Sequence, residues 1–395
     1  MISTKMMEYV SNSSMIRAMF EEGKKLSSIY GAENVFDFSL GNPNVEPPEN
    51  IKKAIIEILS EESPNLVHGY MNNSGYEDIR TKIASHLSKK YELKLTSNNL
   101  IMTCGAAGGL NILLKTLLNP GDEIITFAPF FGEYKSYADN FQGKLIVVPS
   151  NPETFEPDLE ALKEKITTKT KAIIINSPNN PTGVVYSEAL IKELSEVLSK
   201  KQEELNTSIY LISDEPYREI VYDGVEVPYI LKYYRNSFIG YSYSKSLSLP
   251  GERIGYIVCL NELDDFENVM QSLNVANRIL GFVNAPSLFQ RVIGKCLDAE
   301  VDVNIYKKNR DLLYNHLISI GFSCVKPEGA FYLFPKSLIA DDKKFAEEAK
   351  KLNILIVPGS AFGGPGHFRL SYCVSYEKIE KSLDSFTKLA KIYLG

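Results

Sequence analysis

The sequence predicts an α/β fold with a mostly parallel central sheet and helices on both faces, together with a smaller α+β domain. Three observations indicate this fold. Short apolar stretches alternate with helical stretches up to about residue 260, and this alternation is typical of parallel sheets. Unusual loops follow several of these strands at their carboxyl ends, where open α/β sheets bind ligands. After roughly Lys295 the alternation ends, which indicates a second domain.

The elements follow from hydrophobic periodicity and from turn residues. Apolar residues recur at helical spacing over 15–30, and Gly31 ends that helix. Residues 171–175 are wholly apolar or β-branched after the first lysine, as in a strand buried on both faces. The other predicted strands are 35–40, 99–103, 121–126, 145–149, 208–212, 237–241, 254–260, 331–334, 354–357 and 367–372, and the other predicted helices are 48–59, 76–91, 110–118, 158–166, 190–201, 303–320 and 376–393.

The chain length predicts two domains, because 395 residues exceed one ordinary hydrophobic core. We predict a large domain over residues 46–295 and a small domain formed by residues 1–45 and 296–395, with the N-terminal helix returning to the C-terminal part. The net charge is −6, from 43 basic and 49 acidic residues, and no basic block is visible. Both features argue against a nucleic-acid partner.

Cysteine and histidine positions limit the redox and metal chemistry. The five cysteines are scattered and form no C-x-x-C pair, which predicts reduced thiols, and the four histidines lack metal-ligand spacing. Residues 1–17 have no signal-type apolar core, and no apolar run approaches the ~20 residues needed to span a bilayer. We therefore predict a cytoplasmic protein without a metal site or a membrane partner.

Two loops carry the first chemical signals. The small residues from Cys104 to Gly109 follow a strand and precede a helix, where unpaired backbone N–H groups can bind an anion. Such residues also serve close helix–sheet packing. The stretch 241–255 holds Lys245 among serines, followed by Arg253. An amine beside a cation is a better nucleophile toward carbonyls, and arginine and serine bind phosphate. This combination suggests pyridoxal phosphate held as a Schiff base, whereas the stretch alone also suits a surface loop.

As a set, these motifs resemble the class I/II, fold-type I pyridoxal-phosphate aminotransferases, the family that includes aspartate aminotransferase. The resemblance rests on Ser-Pro-Asn-Asn-Pro-Thr-Gly at 177–183, Asp-x-x-Tyr at 214–217, and Ser-x-x-Lys at 242–245 followed by Arg253. It covers almost the full length of the chain, with the motifs in the family's order and spacing. It implies that the large domain has the fold-type I architecture.

The resemblance implies a role for each residue at the cofactor ring. Lys245 would form the Schiff base and then carry a proton between the substrate Cα and the cofactor C4′. Asp214 would pair with the pyridine nitrogen and keep it protonated. Tyr217 and Asn180 would hydrogen-bond the 3′ oxygen. Phe131 would stack on the ring, although it could instead be a core aromatic, with neighbouring Phe130 as the alternative.

The resemblance also implies a phosphate site and a dimer. Tyr70 would reach the phosphate from the neighbouring subunit, so the active sites of a homodimer would be shared. An ordinary surface tyrosine is an equal alternative for Tyr70. The remaining phosphate contacts would come from the backbone N–H groups of Gly105, Ala106 and Ala107 and from Ser242, Ser244 and Arg253.

For the substrate, the resemblance implies that Arg369 forks onto the α-carboxylate, assisted by Asn180 and by the backbone N–H of Gly41. Some relatives that use acidic substrates have a basic residue where this chain has Ala107. Arg278 is the one nearby candidate for a distal carboxylate, and a charge on a helix surface is the slightly favoured alternative. A preference for aspartate therefore does not follow from the sequence.

We predict a cytoplasmic, homodimeric aminotransferase that moves an amino group from an L-amino acid to a 2-oxo acid. A β-elimination C–S lyase on the same scaffold is the nearest alternative, because both reactions begin with removal of the Cα proton. A regulator using this fold as an effector-binding module would need an added DNA-binding domain. A nicotinamide-dependent oxidoreductase would need a G-x-G-x-x-G motif, which the early strands lack.

Overall fold

The computed structural model describes residues 2–11 and 15–395. Met1 and residues 12–14, part of the stretch searched for a signal peptide, lie outside the described residues. The strands are β1 (Phe36–Asp37), β2 (Leu100–Thr103), β3 (Glu123–Phe127), β4 (Lys144–Val148), β5 (Thr170–Asn176), β6 (Tyr210–Glu215), β7 (Ser237–Ser242), β8 (Gly255–Cys259), β9 (Tyr332–Leu333), β10 (Ile354–Leu355), β11 (Val357–Pro358) and β12 (Phe368–Ser371).

Helices surround these strands and make up most of the regular structure. None of the helices in the described ranges is long and apolar enough to cross a membrane. The helices are α1 (Thr4–Ser11), α2 (Met15–Tyr30), α3 (Glu49–Glu61), α4 (Pro64–His68), α5 (Glu77–Tyr91), α6 (Gly105–Leu117), α7 (Glu133–Asn140), α8 (Leu159–Lys165), α9 (Glu188–Leu205), α10 (Tyr243–Ser246), α11 (Phe266–Ile279), α12 (Ser287–Lys295), α13 (Val303–Ser319), α14 (Asp342–Lys351) and α15 (Tyr376–Leu394).

Seven strands form the central sheet, in the order β2-β8-β7-β6-β5-β3-β4. Strand β8 runs antiparallel to both neighbours, and the other pairs are parallel, so the predicted mostly parallel sheet is confirmed. Side chains of β5 alternate between two hydrophobic cores: Ile173 and Ile175 enter one, and Ala172 and Ile174 enter the other. The sheet is therefore covered by helices on both faces, as the sequence predicts.

Two small sheets belong to a third hydrophobic core. Strand β1 pairs in parallel with β10, and β12 lies antiparallel between β11 and β9. Helices α13 and α15 cover this core with Tyr306, Leu313 and Phe386. The N-terminal strand β1 joins the C-terminal elements here. The exact domain boundaries, 46–295 against 1–45 with 296–395, stay a prediction.

Several elements differ from their predicted bounds. The strand predicted at 35–40 is reduced to Phe36–Asp37. Helix α6 begins at Gly105, five residues earlier than predicted. The packing of its buried residues against the central sheet outweighs the poor helix propensity of its glycines. The stretch that holds Lys245, for which a surface loop is the alternative interpretation, contains the short helix α10. Helices α1, α4, α7, α11, α12 and α14 were not predicted.

Candidate active site

The carboxyl edge of the central sheet gathers polar side chains from three adjacent parallel strands. Asp214 of β6 lies in register with Asn176 at the end of β5 and with Gly240 of β7. Two residues further along β7, Ser242 caps helix α10 by accepting the backbone N–H of Ser244. Because the three strands are parallel neighbours, their carboxyl ends form one site.

Asp214 is a buried carboxylate with one free oxygen. Its Oδ2 accepts a hydrogen bond of 2.7 Å from the Tyr134 hydroxyl. Its Oδ1 is buried without a partner anywhere in residues 2–11 and 15–395. Burial raises the pKa of Asp214 to about 7, the Tyr134 hydrogen bond opposes this rise, and nearby Glu215 adds to it. The free oxygen marks a place for a hydrogen-bond donor, preferably a cationic one.

Lys245 projects from α10 into the interior and not into bulk water. Its ammonium donates a 2.8 Å hydrogen bond to the Gly41 carbonyl and lies 5.5 Å from the centre of the Phe331 ring. Burial lowers the pKa of Lys245 to about 8; Cys373 opposes the shift, while the cations of Arg253 and Arg369 contribute to it. A lysine with this pKa is partly neutral near physiological pH and can act as a nucleophile.

The N-terminus of α6 lies against Arg253 beside the end of β7. Gly105 has φ +71°, and a Cβ there would lie 2.9 Å from Arg253 Nη2. The Arg253 guanidinium is exposed, and it donates to the carbonyls of Pro250 at 2.9 Å and Cys104 at 3.5 Å. The hydroxyls of Ser242 and Ser244 are 2.8 Å apart and buried. Helix N–H groups, a guanidinium and two hydroxyls are the donors that a phosphate requires.

Ala106 and Ala107 occupy the first turn of α6, directly after Gly105. Their backbone N–H groups are therefore among those left without intrahelical partners, as the predicted phosphate cradle requires. The helix begins earlier than the sequence indicated, and this places all three residues at its N-terminus.

Arg369 reaches the site from β12 and is almost fully buried. Its guanidinium donates to Asn180 Oδ1 at 3.0 Å and to the Ser39 carbonyl at 2.6 Å. Its Nε is buried and has no partner within the described part of the chain. Burial lowers the pKa of Arg369, although the group stays charged at neutral pH. No carboxylate is among the hydrogen-bond partners described for this cation.

Asn180 and Tyr217 connect the two ends of the site. The Asn180 backbone N–H donates to Asn176 Oδ1 at 2.7 Å, and Asn176 in turn donates to the Asp214 carbonyl at 2.7 Å. The Tyr217 hydroxyl lies 2.8 Å from the Tyr332 hydroxyl. Asn180 therefore contacts Arg369 directly and reaches Asp214 through a single intervening side chain.

Phe131, Tyr70 and Arg278 are placed less centrally. The half-buried ring of Phe131 packs edge-on against Tyr134, with centroids 5.6 Å apart, next to the hydrogen bond on Asp214. Tyr70 is 94% exposed, and Arg278 lies exposed on α11. Within one subunit, neither Tyr70 nor Arg278 shows a side-chain hydrogen bond to the residues gathered around Lys245.

Sequence reasoning missed several residues of the site. Tyr134 supplies the hydrogen bond to Asp214, and Tyr332 contacts Tyr217. Cys373 lies 3.0 Å from the Ser371 hydroxyl and close enough to Lys245 to influence its pKa. Phe362 packs on the Arg369 guanidinium. Tyr134 belongs to a helix that was not predicted, and Tyr332 to a strand too short for periodicity to reveal which way its side chains point.

The residues present fit pyridoxal phosphate. A partly neutral lysine suits its aldehyde, a buried carboxylate with a free oxygen suits its ring nitrogen, and the start of α6 suits its phosphate. In the described ranges, no group of His, Cys, Asp and Glu side chains is arranged to hold a metal ion. Fold and site together define the class of fold-type I pyridoxal-phosphate enzymes.

Within that class, the chain belongs to the aminotransferases of class I and II, whose family profile matches residues 33–386. A probable aspartate aminotransferase of Methanocaldococcus jannaschii is 35% identical over 359 residues, which cover 88% of this chain and 91% of the relative. The crystal structure of an aminotransferase from Eubacterium rectale is 46% identical, with a TM-score of 0.97 and both chains covered completely.

Another structural neighbour is the aspartate aminotransferase of Thermus thermophilus, solved with maleate, with a TM-score of 0.85 and 27% identity over 95% of this chain and 96% of that one. Family and relatives establish that this protein is a pyridoxal-phosphate-dependent enzyme that transfers amino groups between amino acids and 2-oxo acids. The predicted fold class, enzyme class and cofactor are thereby confirmed.

Proposed function

We propose that Lys245 is the residue that binds the cofactor aldehyde and transfers the proton in this aminotransferase. The observation that carries the proposal is the buried ammonium of Lys245, which the Gly41 carbonyl holds inside the site at 2.8 Å. Buried Asp214, whose Oδ1 has no partner within the described residues, suits the ring nitrogen of the same cofactor. When bound, pyridoxal phosphate supplies an electron sink for the bond that breaks at the amino-acid Cα. Asp214 holds a proton on the ring nitrogen and so keeps that sink effective.

The other residues hold the reactants in place. Arg369 binds the α-carboxylate of the amino acid through two parallel N–H groups, and Asn180 and the Gly41 N–H assist. Tyr217 and Asn180 would donate to the cofactor 3′ oxygen, and Phe131 would pack on the ring. Lys245 Nζ would accept the Cα proton and deliver it to the cofactor C4′. The phosphate is held by Gly105, Ala106, Ala107, Ser242, Ser244 and Arg253.

Contacts around Tyr70 support a homodimer with shared active sites. The loop after Tyr70 is fixed by hydrogen bonds from Asn284 to the Asn72 carbonyl and from Asn277 to the Asn73 carbonyl, both at 2.7 Å. Tyr70 itself extends from this fixed loop with 94% of its surface exposed. A rigid base beneath an exposed aromatic suits a side chain that completes the phosphate site of a second subunit.

Substrate and location complete the proposal. The names of the M. jannaschii and T. thermophilus relatives make aspartate the first amino donor to test, with 2-oxoglutarate as acceptor. Ala107 and exposed Arg278 leave the distal carboxylate without an assigned partner, so a panel of donors is needed. The five cysteines are free thiols, which supports a location in the reducing cytoplasm.

The test is replacement of Lys245 by alanine. We expect Lys245→Ala to lose the visible absorbance of the lysine-bound cofactor and nearly all transamination, because the variant lacks the amine proposed to bind the aldehyde and to carry the proton. Lys165→Ala, at an exposed position on α8, is the matched control and is expected to keep both. Transamination by Lys245→Ala at close to the wild-type rate would refute the proposed role.

A further inference from the structure

We propose that Tyr332 is a positioning residue that couples the cofactor end of the site to the carboxylate end. The inference deepens the proposed function and rests on it. Tyr332 lies on β9 opposite Ser371 of β12, and Arg369 is two residues along the same face of β12. Cross-strand neighbours at this diagonal are within reach of an aromatic side chain. The short sheet therefore places the phenol of Tyr332 between Arg369 and Tyr217.

The hydroxyl of Tyr332 acts on Tyr217. The two hydroxyl oxygens are 2.8 Å apart, and either can donate. Tyr217 has one hydroxyl proton, and donation to the cofactor 3′ oxygen uses it. In the loaded enzyme Tyr332 must then be the donor and Tyr217 the acceptor. A hydroxyl that accepts one hydrogen bond becomes a stronger donor in the next, so Tyr332 strengthens the bond from Tyr217 to the cofactor.

The ring of Tyr332 acts on Arg369. The guanidinium carbon lies 4.6 Å from the centre of the Tyr332 ring and 4.6 Å from the centre of the Phe362 ring. Two aromatic faces at this distance stabilise the cation and fix the plane of the guanidinium fork. The orientation of that plane decides whether a substrate carboxylate can be bound by two parallel hydrogen bonds.

Gly41 provides the room that this arrangement needs. A Cβ built on Gly41 would lie 2.0 Å from the Tyr332 hydroxyl oxygen, far closer than any real contact. The Gly41 carbonyl also accepts the hydrogen bond from Lys245. Tyr332 therefore lies against Tyr217, Arg369 and Gly41, and its hydroxyl and ring have separable tasks.

Tyr332→Phe removes the hydroxyl and keeps the ring. We expect the spectroscopic pKa of the bound cofactor to rise in this variant, because the weaker Tyr217 bond stabilises the ionised 3′ oxygen less well. The KM for the amino donor should change less than about 2-fold, since the ring still packs on Arg369. The measurement is an absorbance titration of the holoenzyme. In a Tyr217→Phe background the same substitution should give no further shift.

Tyr332→Leu removes the ring as well. We expect the Kd for maleate, measured by its effect on the cofactor spectrum, to rise at least roughly 10-fold relative to Tyr332→Phe. Tyr372→Phe is the control, because the Tyr372 hydroxyl is buried in the same core, 3.2 Å from the Ala330 carbonyl, without contact to the site. It should leave both readouts unchanged.

Two outcomes would overturn the inference: a wild-type spectroscopic pKa in Tyr332→Phe, or equal maleate affinity in the Leu and Phe variants. Neither outcome is confused with failure of the proposed function. Failure of the proposed function would appear as a Lys245→Ala variant that keeps the wild-type cofactor spectrum. The inference about Tyr332 is tested in variants that retain Lys245.

Discussion

The two buried charges of the site, Asp214 and Arg369, are held in contrasting ways. Each has a polar atom that lacks a partner within the described structure, Oδ1 of the carboxylate and Nε of the guanidinium. Asp214 receives one side-chain hydrogen bond, from Tyr134. Arg369 donates to an amide oxygen and to a carbonyl and is packed between two aromatic rings. Among the residues that the structure describes, neither is paired with a side chain of opposite charge.

The difference follows from what each group can do without its ligand. Burial raises the pKa of Asp214 to about 7, so this carboxyl can take up a proton and become neutral. An arginine cannot lose its proton at neutral pH, so its charge needs substitute partners at all times. Under the proposed roles, Asp214 would pair with a cationic cofactor atom that stays bound, and Arg369 with a substrate carboxylate that exchanges in every catalytic cycle.

The largest expected effect comes from removing the charge of Asp214, the proposed partner of the cofactor ring nitrogen. Asp214→Asn keeps the size of the side chain and removes its charge, so the ring nitrogen of the cofactor is no longer held protonated. We expect kcat to fall roughly 10³-fold, because the electrostatic support is needed most as the Cα–H bond breaks. Steady-state kinetics at saturating amino donor measure this loss.

Asp298→Asn, at an exposed carboxylate, is the control for the same chemical change and should retain full kcat. A fall of less than 10-fold in Asp214→Asn would show that the carboxylate does not support the cofactor ring electronically. The contrast between the two charged ends would then have to be abandoned.

The second largest effect is expected at Arg369, the proposed binding residue of the substrate carboxylate. Arg369→Lys keeps the charge but loses the planar fork, so it can neither bind a carboxylate in two parallel bonds nor stack between Tyr332 and Phe362. We expect KM to rise about 100-fold for both amino donor and oxo-acid acceptor, since both carry the same carboxylate. The fall in kcat should be much smaller than in Asp214→Asn.

Arg235→Lys, at an exposed arginine paired with Asp264, provides the matched control and should leave KM unchanged. If Arg369→Lys lowered kcat and left KM alone, Arg369 would act in the chemical step and not in substrate binding. Such a result would assign it the behaviour expected of Asp214.

The two ends also differ in how far the sequence could predict them. Asp214 and Lys245 follow long apolar strands whose carboxyl ends must meet, so pattern and motif located both. Tyr332 lies on a strand of two residues, and its contact with Tyr217 spans 115 positions of sequence. Periodicity cannot indicate which way the side chains of so short a strand point, and contacts between residues so far apart in sequence depend on tertiary packing.

Tyr134 was missed for a different physical reason. Its helix α7 has eight residues with little apolar content, so propensity and periodicity give no signal there. The helix exists because it packs beside β4 and directs Tyr134 toward the sheet edge. Arg369 was found only through the resemblance of its surroundings to a family motif, since an arginine in a short strand is otherwise read as a surface charge.

The smallest expected effect concerns the pKa of Asp214, because Asp214 can become neutral near pH 7 whereas Arg369 cannot. The Tyr134 hydroxyl stabilises the ionised form of Asp214, so Tyr134→Phe should raise the pKa of Asp214 above its present value of about 7. More of the cofactor-free protein is then protonated at Asp214 near neutral pH. We expect cofactor affinity to weaken a few-fold at pH 7 and to approach the wild-type value as the pH rises past 8.

The measurement is the Kd for pyridoxal phosphate as a function of pH, by fluorescence or absorbance titration of the apoprotein. Tyr186→Phe removes a buried hydroxyl from the large core and is the control, with the wild-type pH profile expected. Because Lys245 gains its neutral form over the same pH range, the comparison must use the difference between the two profiles. A uniform loss of affinity at every pH would contradict this prediction. It would mean that the Tyr134 hydroxyl does not change cofactor affinity through the pKa of Asp214.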